Sequence, residues 1–159
     1  MIDLRTSPSG ASPIVLDALF PASPARLFRA WTTPQDLMRW FGTDPTLLSR
    51  IDLDLRIGGA WRFHMNARTE QVEYLHGTYL RIDPDQALAF TWAHVVESAD
   101  GARRETPPSQ VIVTFTPNGK ATRLVLEHRD ISTEGGRIGV RDGWITSLQT
   151  LHATLPPSE

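Results

Sequence analysis

The side chains with the widest chemical reach in these 159 residues are three histidines, His76, His94 and His128. Histidine changes charge near neutral pH, hydrogen-bonds through two nitrogens and ligates metals. Three of them facing one space would orient a polar group, move a proton or hold a metal ion. Strand alternation decides whether they share that space. The Asn118-Gly119 pair between "SQVIVTFT" and "ATRLVLEHRD" is a strong hairpin signal. With those two residues as the loop, Phe115 opposes Thr122, Val113 opposes Leu124, Val111 opposes Leu126 and Ser109 opposes His128. This face is the more apolar and is predicted to point inward. The flanks of "DPDQ" pair Ile82 with Leu88, Leu80 with Phe90, Thr78 with Trp92 and His76 with His94. All three histidines then have inward parity, toward one end of the sheet. No acidic residue of inward parity joins them, and their spacing matches no established metal motif. Histidines that are internally satisfied or exposed at a rim stand beside the ligand-orienting reading.

The stretch "GGAWRFHM" puts Trp61, Phe63 and Met65 on one face of a strand and Arg62 and His64 on the other. Side chains of this size contribute about 1.5–3 kcal/mol each when fully buried, so they could fill a core as readily as line a hole. The candidate ligand-contacting set is Trp40, Trp61, Phe63, Met65, His76, Phe90, Trp92, His94, Val113, Phe115, His128, Trp144 and Leu148. No catalytic residue, metal site or cofactor is assigned. A Gly-x-Ser-x-Gly nucleophile elbow is absent. "GGRIG" (135–139) lacks the preceding strand of a dinucleotide fingerprint and is expected to cap and lead into the last helix. His64 is expected on the outer surface, and His152 near the end of the last helix.

The elements that must position these residues follow from periodicity. "IVLDALF" (14–20) alternates as a first strand. Two short helices come next: Ser23 then Pro24, and Thr33 then Pro34, place a cap before a proline suited to the first turn. Residues 51–128 alternate as about six strands, interrupted by a polar loop, "ESADGARRETPP". The segment 137–155 sets Val140, Trp144, Leu148, Leu151 and Leu155 on one helical stripe. Residues 1–12 read as a flexible leader, 13–155 as one domain and 156–159 as a tail. A net charge of −2 argues against a phosphate-binding surface for nucleic acid, and zero cysteines exclude disulfides and thiolate chemistry. Neither a secretory signal nor a membrane-length apolar run is seen, so a cytoplasmic protein without membrane insertion is expected.

The order of these elements, with "FPASPARLFRAWTTPQDLMRWFG" (20–42), "GGAWRFHM" (58–65), "HGTYLRIDPDQALAFTW" (76–92), "VTFTPNGKATRLVLEH" (113–128) and "GW" (143–144) before "LQTLHATL", resembles the START-like or SRPBCC superfamily. Within it the chain is similar to the homologues of the activator of the heat-shock ATPase chaperone. The resemblance implies an α+β helix-grip fold: a curved antiparallel sheet of about six to seven strands wrapped around a long C-terminal helix, with two short helices after the first strand and an apolar cavity between sheet and helix. The expected function is binding of a hydrophobic or aromatic small molecule in that cavity. A cyclase- or hydrolase-like enzyme using a cavity histidine and an accessory protein of a chaperone ATPase are the alternatives. Exposed strand edges or the convex face offer a route to a homodimer.

Overall fold

The computed structural model describes residues 2–44, 46–66 and 70–155, and the tail at 156–159 lies outside them. Its strands are β1 (Asp3–Thr6), β2 (Ile14–Phe20), β3 (Leu48–Leu53), β4 (Ala60–Met65), β5 (Val72–Asp83), β6 (Ala87–Glu97), β7 (Arg103–Glu105), β8 (Ser109–Asn118) and β9 (Ala121–Arg129). They form one antiparallel sheet in the order β1-β2-β9-β8-β6-β5-β4-β3, with β7 attached to β6. Helices α1 (Pro24–Thr32) and α2 (Pro34–Trp40) follow β2, and α3 (Glu134–Thr154) closes the chain. This is the α+β helix-grip architecture, with nine strands where six to seven were expected. The two additions are short: β1 arises within the leader and β7 within the polar loop.

Local chemistry sets the helix starts. Ser23 Oγ accepts the Arg26 N–H at 3.1 Å ahead of Pro24, and Thr33 precedes Pro34 without a side-chain cap bond. Helix α3 begins earlier than periodicity predicts. Thr133 Oγ1 accepts the Gly136 N–H at 3.0 Å, so "GGRIG" is the first turns of the helix rather than a lead-in. On its inner side α3 buries Trp144, Leu148, Leu151 and the flanking Leu155 against the sheet.

The sheet departs from the predicted registers in two ways. In β8–β9 the turn is Gly119-Lys120, so Phe115 opposes Leu124 and Val111 opposes His128. Gly119 takes a φ of 63°, which suits glycine in this turn. A two-residue slip leaves every side chain on its predicted face. In β5–β6 the pairing Ile82–Leu88 holds, but the register shifts between Tyr79 and Arg81. One extra residue in β5 reverses the facing of everything before it. Tyr79 therefore opposes Phe90 and Leu75 opposes His94, while Leu80 is 45% exposed. His76 is turned to the convex face and Glu73 comes to the concave one.

The concave side just past the bulge is tightly built. A Cβ on Gly77 would lie 1.9 Å from the Thr91 carbonyl oxygen and 2.6 Å from Trp61 Nε1, which itself donates to that oxygen at 3.1 Å. Gly77→Ala should destabilise by about 1–3 kcal/mol through this overlap. Urea unfolding checks it, and parental stability would refute the close approach.

Candidate functional site

A cavity of about 500 Å³ lies between the first half of α3 and the concave face of β4–β6. Its location follows from a fork in the sheet. One edge of β6 bonds β8 along residues 87–92 and β7 along 95–97. Between the two, at His94, the partner is the connecting segment: the Thr106 N–H donates to the His94 carbonyl, and the His94 N–H donates to Thr106 Oγ1. Pro107 and Pro108 follow, and without N–H groups they cannot carry the ladder onward. The cavity opens beside this break, with Thr106, Pro107 and Ser109 in its wall.

Met65, Leu75, Trp92 and His94 make its sheet side, and Gly135, Gly139, Gly143, Val140, Trp144 and Ser147 its helix side. Phe41 and Leu47, from the segment after α2, make one end. The helix glycines recur every four residues and so share one face. A Cβ at Gly135 or Gly139 would meet nothing within 4 Å, and one at Gly143 only Thr43 at 4.0 Å. Close backbone packing therefore does not account for them. Each costs the helix about 0.5–1 kcal/mol relative to alanine, and what they leave in return is open volume.

His94 in the cavity wall is paired with Glu73 beside it. His94 Nε2 lies 2.6 Å from Glu73 Oε2, with both side chains about one-third exposed. The carboxylate accepts, so Nε2 carries a proton, while Nδ1 has no protein partner among the described residues. The acidic partner missing from the predicted register is thus Glu73, brought inward by the β5 bulge.

His128 behaves differently. Trp144 Nε1–H donates to its Nδ1 at 3.1 Å, which fixes the proton on Nε2. Nε2 faces Ser109 Oγ at 2.8 Å, and that hydroxyl donates to the Trp92 carbonyl at 3.2 Å. Burial pushes the imidazole down from 6.5 to about 3. A neutral ring with both nitrogens engaged holds Trp144 and Ser109 in place and has no proton to trade near pH 7. It sits one layer behind the cavity wall that those two residues form.

The remaining candidates divide by layer. His76 is on the convex face, bonded to Glu105 at 2.9 Å. His64, also convex as expected, bonds Asp52 at 2.8 Å. Trp61 packs edge-on against Phe63 at 4.9 Å and Phe90 at 5.5 Å, a buried aromatic cluster beside the cavity rather than in its wall. Phe115 packs under Phe28, and Trp40 packs on Trp31 with its indole bonded to the Ala30 carbonyl. Val113 and Leu148 are fully buried core. Met65, Trp92, His94 and Trp144 are the candidates that the fold brings to the cavity itself. The helix glycines, Phe41 and Ser109 were not among the candidates. Their one sequence signal is the four-residue glycine spacing in "GGRIGVRDGW". Among the described residues no group of three or more His, Asp or Glu side chains gathers to hold a metal, and no helix is long and apolar enough to cross a membrane.

Solved structures with this arrangement include an uncharacterised protein from Rhizobium leguminosarum, 19% identical, with a TM-score of 0.74 and 96% of each chain covered. Mll3558 from Rhizobium loti is 22% identical, with a TM-score of 0.72 over 98% of this chain and 99% of that one. CalU16 from Micromonospora echinospora is 25% identical, with a TM-score of 0.63 over 95% of this chain and 81% of that one. No curated protein matches the chain. The family described as Activator of Hsp90 ATPase homolog 1-like protein matches residues 21–156, and with most of its length covered the chain belongs to that family.

Proposed function

We propose that the protein binds a small apolar or aromatic molecule between α3 and β4–β6. The observation that carries this reading is the 500 Å³ cavity, kept open by helix glycines that no packing demands. Its size falls in the range of small-molecule sites, and its walls are mainly apolar with a few convergent polar groups. Trp92, Trp144 and Phe41 supply aromatic contact area, and Nδ1 of His94, without a partner among the described residues, accepts a hydrogen bond from a hydroxyl on the ligand.

Native mass spectrometry of the purified protein should show a retained small molecule, or, after its removal, saturable binding of anilinonaphthalene sulfonate. His94→Ala should weaken a hydroxylated probe by about two- to tenfold, the worth of one hydrogen bond, and leave a hydrocarbon probe unaffected. No retained ligand and no probe binding would overturn the reading. The Glu73–His94 pair also favours a second reading, a proton-transfer enzyme in which His94 is the general base and Glu73 orients it. In that case His94→Ala abolishes turnover instead of modestly weakening binding. A role at a chaperone ATPase rests on the family description, and stimulation of such an ATPase by the purified protein tests it.

A further inference from the structure

The helical wall of the cavity is held from outside rather than from beneath. The buried residues of α3 all lie from Trp144 onward: Trp144, Ser147, Leu148 and Leu151. Over 134–143 no residue is buried, and Val140 packs only in part against the core. The same stretch contains Gly135, Gly136, Gly139 and Gly143, and glycine gains the most backbone freedom when a helix loosens. Apolar burial, the usual source of helix stability in a folded protein, is therefore weakest where α3 borders the cavity.

Two arginines take its place. Arg137 and Arg141 stand one turn apart on α3, and neither lines the cavity. Arg137 donates from Nε to the Gly10 carbonyl at 2.7 Å and from Nη1 to the Ile131 carbonyl at 3.0 Å. Arg141 donates from Nε to the Ser7 carbonyl at 3.1 Å and from Nη2 to Thr6 Oγ1 at 2.7 Å. Its Nη1 meets Asp142 at 3.1 Å, and its side chain is only 18% exposed. The N-terminal segment that receives these bonds is itself fixed to the sheet. Thr6 pairs with Leu16, the Ser7 N–H donates to the Val15 carbonyl at 2.8 Å, and the Val15 N–H donates to Ser7 Oγ at 3.0 Å. Hydrogen bonds from a charged donor are the stronger kind. Farther along, α3 is pinned by the Trp144–His128 bond and by Ser147 Oγ, which accepts the Gly42 N–H at 3.0 Å.

We infer that residues 134–143 are the adjustable wall of the ligand site and that the N-terminal segment is its latch. The arginine clasp holds the wall over a bound molecule. Release of the clasp frees the first turns of α3 up to the fixed point at Trp144 and lets the ligand exchange. The inference rests on the cavity being a ligand site and names what regulates passage through it.

Amide hydrogen exchange and stopped-flow binding of anilinonaphthalene sulfonate, both on the full chain, test it. In the parent, amides of 138–143 should exchange faster than those of 148–154. Arg137→Met/Arg141→Met keeps the aliphatic stems and removes the guanidinium groups. It should raise exchange over 138–143 by about tenfold or more, the worth of a charged hydrogen bond, and leave 148–154 unchanged. Probe association and dissociation should both quicken by about threefold or more as the wall loosens. Thr6→Val removes one acceptor of the clasp at an exposed site and should act in the same direction more weakly; it decides the matter should the double variant fail to fold. Exchange over 138–143 that ignores the substitutions, a rise spread evenly over the whole chain, or probe kinetics that stay at parental values would overturn this inference and leave the cavity reading standing. A parent that binds no probe sinks the cavity reading, and this inference with it.

Discussion

Gly139→Trp is expected to abolish probe binding while leaving the protein at least as stable as the parent. The two effects have one cause. Residue 139 lies within α3 on the cavity side, and a Cβ there meets nothing within 4 Å. A large side chain can therefore grow into the cavity without displacing the wall, and it occupies the volume a ligand needs. Tryptophan is also a better helix former than glycine, by up to about 0.5 kcal/mol. Gly139→Ala should gain about 0.5–1 kcal/mol and keep most of the binding. Thermal unfolding and an anilinonaphthalene sulfonate titration on the same preparations read both quantities. A tryptophan variant that is stable and still binds with parental affinity would place the ligand somewhere other than this cavity.

The second large effect is in acid. The folded protein holds His128 at about 3, against 6.5 for an unperturbed imidazole. Between those values the unfolded chain binds a proton that the buried ring refuses. Stability therefore rises with pH across the window, is complete above about 6.5, and is lost as pH falls toward 3. The slope from this one group is about 1.4 kcal/mol per pH unit, and the whole window amounts to on the order of 3–5 kcal/mol. His152, also lowered by burial, contributes with the same sign. Asp17, Asp52 and Glu105, held low by hydrogen bonds from Arg123, His64 and His76, lose their contributions only at more acid pH. Urea unfolding between pH 4.5 and 7 thus isolates histidine. His128→Gln, whose amide offers one acceptor and one donor to the same neighbours, should flatten the slope. His128→Ala should cost about 2–4 kcal/mol at pH 7, because the Trp144 indole and Ser109 lose their partner and a cavity is left. An unchanged pH slope in His128→Gln would refute a neutral buried His128.

Much of the fold was legible because its signals are local. Strand β2 is bounded by its own alternation, and α1 by Ser23 and Pro24. The inward face of β8 and β9 was found despite a misplaced turn, since a slip of two residues conserves parity. The candidate site was legible only in part. Trp92, His94 and Met65 were placed on the correct face, yet Trp61, Phe63 and Phe90 close on one another as core. Their strand parity is the same, and alternation cannot separate a wall from a plug. Glycine spacing in α3 carried the missing information, but a run of glycines reads first as a break in a helix.

The sequence by itself determined the order of the main elements, the Ser23 cap of α1, the concave aromatic face and the family. Each depends on neighbours a few residues apart or on a pattern summed along the chain. Tertiary structure alone decided which polar groups reach the cavity. One extra residue in β5 exchanged His76 for Leu75 and brought Glu73 beside His94, and the fork of β6 between β7 and β8 opened the wall next to them. A bulge reverses the facing of a whole strand segment, and where it falls is set by how the curved sheet closes on its helix.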